Sequence, residues 1–255
     1  MDKNVLFDSH AHLDDDRFNE DRDRIIPEIH KSGVGLIINV GSDMRNSKKS
    51  IELTKKYDYI YAAVGVHPHC AKDLKDSDIE QLAAWTKEKK VVAIGEIGLD
   101  FHYDNSPRDV QRFWFKKQLR LAEVLNMPAI IHCREANEEC IKILKESKAK
   151  GVMHCYSGSL EMAKDIVKMG YAISFGGPLT YKNARTAVDV ATHIDIEHIL
   201  IETDCPYLSP EGSRGQRNDS SKVRNVCEKL AEIKGMSFDE AARITAENAK
   251  RVFRM

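Results

Sequence analysis

Short apolar runs alternate with longer segments of helical periodicity along the whole chain. Runs of strand length occur eight times, starting roughly 20 to 38 residues apart, which suits one strand, one helix and two short loops per repeat. The predicted strands cover residues 5–10, 35–40, 60–66, 91–96, 129–132, 151–154, 171–175 and 199–202. This order of elements predicts an α/β protein.

The segments between these runs have the spacing of amphipathic helices. In "SPRDVQRFWFKKQLRLAEVLN" (106–126), apolar residues recur at helical spacing, and Pro107 suits a first turn. Strands such as "VVAIG" are apolar throughout, which is typical of a parallel sheet covered on both faces. Eight such units favour a (β/α)8 TIM barrel formed as a single domain over residues 1–255. The lack of a G-x-G-x-x-G turn after the first strand argues against a dinucleotide-binding sheet.

Composition and charge limit how the chain can meet its partners. Its 255 residues contain 39 lysines and arginines against 40 aspartates and glutamates, so no overall positive field attracts nucleic acid. An anionic substrate must then be held by a local cluster or by metal ions. No apolar stretch approaches the roughly 20 residues of a membrane span, and the first residues lack a signal-peptide pattern. We therefore expect a cytoplasmic protein that does not associate with a membrane and has no obligate protein partner.

Metal-binding residue types recur where the apolar runs end, which is where barrel enzymes place their chemistry. A single histidine at a strand end is more often structural than a ligand, but a recurrence in one register indicates a site. The residues concerned are His10 and His12 after the first run, His67 and His69 after the third, Glu96, His132 and His154 at the fourth to sixth, and Glu202 and Asp204 at the eighth.

The chemistry of these side chains indicates two metal ions. Residues i and i+2 of a strand project to the same side, so His10 and His12 can bind one ion together. Ligands from six strand ends are too many for one tetrahedral zinc. Imidazole with carboxylate but no thiolate fits Zn, Mn or Fe better than an all-oxygen cage. Glu96, between the two sets of histidines, is the best candidate for a bridging carboxylate. The three aspartates at 14–16 are expected to cap the first helix instead.

The motifs "DSHAHLD", "GVHPH", "GEIGLDF", "IHCREA", "HCYSG" and "ETDCPYL" followed by "RGQRN" resemble, in this order, the TatD family of metal-dependent deoxyribonucleases in the amidohydrolase superfamily. The resemblance covers residues 8–218 and implies a (β/α)8 barrel with two divalent ions, whether Zn, Mn, Mg or Fe. It implies that one ion is bound by His10, His12, Glu96 and Asp204, and the second by Glu96, His132 and His154. Cys205 departs from the family, where serine is common.

The expected reaction is cleavage of DNA phosphodiesters by metal-activated water, as in a 3'-5' exonuclease. Asp204 would accept the proton of the water beside the bridging Glu96, so both are predicted to be catalytic. Other residues at the rim are predicted to contact the substrate, and arginine suits phosphate. These are His67, His69, Arg134, Arg214, Arg217 and Asn218.

Two alternatives remain at this point. The same ions could hydrolyse a carboxylic ester or amide, for example in removing a D-aminoacyl group from transfer RNA. A protein that keeps structural metal without catalysis is the third hypothesis, and it suits two ions with open positions less well.

Overall fold

The computed structural model describes residues 6–255, and within them strands and helices alternate as the hydrophobic pattern predicts. The predicted strand over 5–10 begins at a residue that lies outside the described range. The strands are β1 (Leu6–Ala11), β2 (Val34–Val40), β3 (Ile60–Val64), β4 (Val91–Asp100), β5 (Ala129–Arg134), β6 (Gly151–Met153), β7 (Ala172–Phe175) and β8 (Ile199–Ile201).

The helices of the described range follow the predicted segments. They are α1 (Arg22–Lys31), α2 (Met44–Lys56), α3 (Asp76–Trp85), α4 (Arg108–Val124), α5 (Asn137–Lys145), α6 (Leu160–Lys168), α7 (Arg185–His193), α8 (Val223–Lys234) and α9 (Phe238–Phe253). Short 3-10 helices lie at Asp16–Phe18, Pro68–Asp73, Gly177–Thr180, Ile196–His198 and Ser220–Lys222. None of the helices in this range is long and apolar enough to cross a membrane.

The eight strands form one parallel sheet in sequential order. The sheet closes where β1 meets the segment that follows β8. There Ala11 pairs with Cys205, the backbone N–H of His12 donates to the Cys205 carbonyl at 2.8 Å, and that of Asp204 donates to the His10 carbonyl at 2.9 Å. The predicted (β/α)8 TIM barrel is confirmed, and its closure places the first and last site residues side by side.

Apolar side chains fill the barrel and cover its outer face. An inner cluster takes Phe7, Ala93, Ile130 and Leu200 from the strands and includes Phe253 of α9. Because these strand residues precede the strand ends, α9 covers the amino-terminal end of the barrel. A larger cluster lies between the sheet and the surrounding helices. The opposite, carboxyl-terminal end is left for polar side chains.

Two irregularities in register change which side chains face the interior. β1 shifts against β2 between Asp8 and Ala11, and β4 shifts against β5 between Ile94 and Ile97. Ala93 belongs to the inner cluster, whereas Ile97 lies in the outer one, so strict alternation does not hold across Glu96. An extra residue in a strand reverses the direction of the side chains that follow. The shift in β4 thus allows Glu96 to enter the interior.

Gly98 permits the close approach of β4 to β5 beside the predicted site. Its φ is 151°, and a Cβ atom there would lie 1.9 Å from the carbonyl oxygen of His132. Only glycine combines this backbone conformation with such a short contact. The second glycine in "GEIGLDF", Gly98, therefore allows the ends of β4 and β5 to lie close together.

Candidate metal centre

A cavity of about 790 Å³ opens at the end of the barrel where the strands finish. The ends of the strands and the loops that follow them form its wall, as expected for this fold. His10 and Glu202 lie buried beneath it. The sequence-predicted residues that line it are His12, His67, His69, Glu96, His132, Arg134, His154 and Asp204.

Four side chains converge on one point at the junction of β1 and β8. The Nε2 atoms of His10 and His12 are 3.1 Å apart. Glu96 Oε2 lies 3.6 Å from His10 Nε2 and 3.8 Å from His12 Nε2. Asp204 Oδ1 lies 3.7 Å from His10 Nε2 and 3.3 Å from His12 Nε2. Two nitrogens and two oxygens at this spacing can surround a single cation.

The second oxygen of Glu96 meets a different set of side chains. Its Oε1 lies 2.8 Å from His132 Nδ1 and 2.6 Å from His154 Nε2, and these two nitrogens are 3.3 Å apart. The two oxygens of one carboxylate therefore divide between two groups of imidazoles. This arrangement is the one that a bridging carboxylate between two ions requires.

The remote ring nitrogens of three of these histidines face fixed acceptors. His12 Nδ1 donates to the Val40 carbonyl at 2.7 Å, because a carbonyl can only accept. His132 Nε2 lies 3.1 Å from Asp100 Oδ2. Each bond places the proton of the neutral ring away from the cluster and leaves a lone pair pointing inward, as in metal-bound histidines.

Glu202 has the same relation to His154. Its Oε1 lies 3.3 Å from His154 Nδ1, and its Oε2 accepts from Ser174 Oγ at 2.5 Å. The sequence pattern predicted Glu202 as a carboxylate at a strand end but assigned it no role, and it did not predict Asp100 as a site residue. A signal for Asp100 existed, because residues 96, 98 and 100 share one face if β4 continues past its predicted end.

Charge in the cluster is balanced through its histidines. Burial opposes ionisation of Glu96, but the nearby imidazoles of His154 and His67 hold its pKa well below the usual range. Burial also lowers the pKa of His154, yet the charges of Glu96 and Glu202 raise it well above its ordinary value. His10 Nδ1 is buried without a hydrogen-bond partner among the described residues. Divalent cations can replace the protons that these histidines carry beside the carboxylates, so the donor set fits metal binding.

His67 and His69 stand beside the second group. His67 Nδ1 accepts the backbone N–H of His69 at 3.1 Å, so the proton of the neutral ring lies on Nε2. That atom is 3.7 Å from Glu96 Oε1. His67, His69 and Asp100 lie close enough to share an ion. A protonated Nε2 cannot be a ligand, however, so His67 offers a hydrogen-bond donor to the cavity.

The predicted phosphate-binding residues of the rim fall into two groups. Arg134 lines the cavity, with its guanidinium 4.8 Å from the centre of the Tyr103 ring. Arg214 lies over Tyr181, another residue of the cavity wall, at 4.3 Å. Both guanidiniums thus lie at the cavity wall, and their contact with substrate stays a prediction.

The structure does not bring the other two residues to the cluster. Arg217 forms a paired hydrogen bond with Asp21, at 2.6 and 2.9 Å, and also donates to the Arg17 carbonyl. Asn218 is fully buried, and its amide donates to the carbonyls of Thr203 and Tyr207 at 2.9 and 2.7 Å. Their predicted contact with substrate stays a prediction; here both fix the loop that follows Asp204.

The three aspartates after β1 separate into different tasks. Asp15 caps the 3-10 helix Asp16–Phe18 by accepting the backbone N–H of Arg17. Asp14 is buried and accepts from the Asn39 amide at 2.7 Å. The capping prediction thus holds for Asp15 at a 3-10 helix, but it is wrong for α1, which begins after Asp21 and is capped by none of the three aspartates.

Comparisons with known proteins agree with this geometry. The family model described as TatD related DNase matches residues 7–254. The uncharacterized metal-dependent hydrolase YabD of Bacillus subtilis is 45% identical over 98% of this chain and 100% of its own, and YcfH of Escherichia coli is 33% identical over 97% and 95%. The solved structure of YjjV, a TatD homologue from Escherichia coli, superposes with a TM-score of 0.93 at 31% identity and 99% coverage of both chains.

A second solved structure gives the same result. The TatD family hydrolase from Entamoeba histolytica superposes with a TM-score of 0.84 at 26% identity, covering 98% of both chains. These similarities extend over nearly the whole chain.

Proposed function

This chain belongs to the family of TatD-related DNases, and from that premise we propose that it is a metal-dependent hydrolase that cleaves DNA phosphodiesters, as a 3'-5' exonuclease. The observation that carries the proposal is the division of Glu96 between two groups of imidazoles at the floor of an open cavity. A closed structural site would not leave room for a substrate beside it.

The proposed ligand sets follow the two halves of the cluster. His10, His12 and Asp204 would hold one ion with Glu96 Oε2, and His132 and His154 would hold the other with Glu96 Oε1. When bound, two divalent cations lower the pKa of water and offset the negative charge that builds on phosphate oxygens. The mixed nitrogen and oxygen donors suit Zn, Mn or Fe, while Mg is accepted less readily.

Asp204 is the proposed proton acceptor. Burial opposes its ionisation, but the hydrogen bond from His12 and the charge of His10 keep its pKa below the usual value. It lines the cavity, and Oδ1 faces the first group of imidazoles. An ionised carboxylate at this position can accept a proton from attacking water and pass it to solvent.

His67 is the proposed donor to the substrate. The hydrogen bond from the backbone N–H of His69 to Nδ1 fixes the proton of His67 on Nε2. Burial and, in addition, the charge of His132 lower the pKa of this imidazole well below its ordinary value. The ring is therefore neutral with an N–H group pointing at the cavity. It can donate to a phosphate oxygen or to the leaving oxygen as the ester bond breaks.

The proposal is tested with metal-reconstituted protein. Single-stranded DNA with a free 3' end, D-aminoacyl-tRNA and a simple lactone are supplied separately to the wild type, to Glu96→Ala and to Glu138→Ala, a control at an exposed glutamate of α5. We expect stepwise DNA shortening that falls by at least about 100-fold in Glu96→Ala alone, equivalent to about 2.7 kcal/mol of the barrier. Intact DNA with Glu96-dependent cleavage of another substrate would overturn the proposal.

A further inference from the structure

Two exposed tyrosines stand at the mouth of the metal centre. Tyr103 is 55% exposed and Tyr207 is 45% exposed, and both line the cavity. Tyr207 lies beside the first group of ligands, with its ring centre 6.1 Å from that of His12. Tyr103 lies beside His69, 5.5 Å between ring centres, on the side of the second group. The cluster therefore has one open aromatic ring at each end.

The backbone of each tyrosine is tied to a carboxylate residue of the site. The Tyr207 N–H donates to the backbone carbonyl of Asp204 at 2.9 Å. The Tyr103 N–H donates to Asp100 Oδ1 at 3.0 Å. The backbone of each tyrosine is thus held next to a residue of the site.

A guanidinium accompanies each ring. The Arg17 guanidinium carbon is 4.0 Å from the centre of the Tyr207 ring, and Arg17 is itself held by Asp15, which also accepts from the Tyr207 hydroxyl at 3.1 Å. Arg134 lies 4.8 Å from the centre of the Tyr103 ring. Aromatic faces combined with guanidiniums are the elements with which proteins hold single-stranded nucleic acid.

We propose that Tyr103 and Tyr207 stack nucleobases on the two sides of the phosphate to be cleaved, which makes these two rings the base-contacting residues of the site. The inference rests on the proposed phosphodiesterase function. A duplex keeps its bases stacked inside, whereas a single strand can turn them onto exposed rings. Because the net charge is only −1, affinity depends on local contacts at the cavity, and stacking on these rings adds to those of the arginines and the metal ions.

The stacking has a consequence for specificity. Every base has a flat face, so stacking accepts all four bases without reading their edges. Loss of the base itself, by contrast, removes the contact. The site should therefore act on any single-stranded sequence and bind poorly where bases are absent near the end.

The test uses two substrates that differ only in their bases. One is a single-stranded decamer of thymidine, and the other carries tetrahydrofuran abasic residues at its last three 3' positions. Tyr103→Ala and Tyr207→Ala are compared with Tyr103→Phe, Tyr207→Phe and Phe113→Ala, which removes an exposed ring of α4 that is 51% exposed and pairs with Trp114. Metal content and thermal unfolding are measured for every variant.

Each alanine variant should raise KM for the thymidine decamer by about 5- to 150-fold, the loss expected for one stacked base, with little change in kcat. KM for the abasic strand should change by less than about threefold, and the phenylalanine variants and Phe113→Ala should resemble the wild type. In wild type and phenylalanine variants, 2-aminopurine near the 3' end should lose fluorescence on binding, and each alanine variant should reduce that loss.

Equal losses on both substrates, or no loss at all while the wild type cleaves DNA, would overturn the stacking inference and leave the proposed function standing. Fluorescence loss that persists in both alanine variants would also overturn it, independently of activity. Absence of Glu96-dependent cleavage of either strand by the wild type would instead refute the proposed function, and the inference would fall with it.

Discussion

Replacement of Asp100 by asparagine tests whether the proposed metal centre depends on the carboxylates that orient its histidines. Asp100 is buried, and its two oxygens have separate partners. Oδ1 accepts the backbone N–H groups of His102 and Tyr103, each at 3.0 Å. Oδ2 lies 3.0 Å from His69 Nε2 and 3.1 Å from His132 Nε2. Asparagine has one oxygen, so it can serve only one of these two sets.

The size of the effect follows from which set is lost. The amide oxygen should stay with the local backbone N–H groups, which turns the NH2 group of residue 100 towards His132 and opposes one donor to another. His132 then loses the acceptor that keeps its inward nitrogen unprotonated. Loss of such an outer partner weakens metal binding about 10- to 100-fold, or about 1.4 to 2.7 kcal/mol. The loss should fall on the ion held with His154 and spare the ion held with His10.

Isothermal titration of metal-free protein with Zn²⁺ measures this directly. The wild type should show two binding events, and Asp100→Asn should weaken one of them. Asp104→Asn is the matched control, because Asp104 lies in the same loop with an exposed carboxylate that pairs with Arg108. Two events of wild-type affinity in Asp100→Asn would refute the reasoning, as would an equal loss in Asp104→Asn.

Three further outcomes are expected. Metal binding should release protons at pH 7.5 and tighten as pH rises, because the histidines that bind the ions must first lose a proton. Burial lowers the pKa of His12, but neighbouring carboxylates raise it to about 9, and the pKa of His154 is also raised. Calorimetric titrations in buffers of different ionisation enthalpy measure the protons released, and a release of none would contradict this. Asn218→Ala should lower the free energy of unfolding in urea by about 2–3 kcal/mol, since two buried carbonyls lose their donor; a loss below about 0.5 kcal/mol would argue against it. Arg134→Ala should raise KM for DNA, whereas Arg217→Ala should change it less than about threefold and stability by less than about 1 kcal/mol; the reverse order would show that Arg217 leaves its ion pair to bind substrate.

The parts of the fold and site set by local periodicity could be predicted from the sequence. His132 lies in β5 and His154 follows β6, and both strands alternate regularly, so the end of an apolar run was enough to place these histidines facing inward. Glu96 was predicted from its position, yet its inward direction depends on a register shift in β4 that the pattern of apolar residues does not show. Asp100 was missed because β4 continues beyond the end of its apolar run.

Long-range packing accounts for the rest. Arg217 looked free for phosphate, but Asp21, which directly precedes α1, lies against it from nearly 200 positions away in the sequence. Asn218 looked like a rim residue, but the turn after β8 folds over it and uses its amide to hold Thr203 and Tyr207. A polar residue in a loop reveals its donor groups in the sequence, whereas the partner that occupies them is decided by the tertiary fold.

The closure of the barrel between β1 and β8 would give an ion bound there a mechanical role. His10 and His12 come from the beginning of the chain and Asp204 from near its end, and they meet across the line where the ring of strands is joined. A cation shared by these residues acts as a cross-link that closes most of the chain into one loop, and the entropic effect of such a link grows with loop length. Loss of that ion would therefore loosen the barrel along a single line instead of evenly around its circumference.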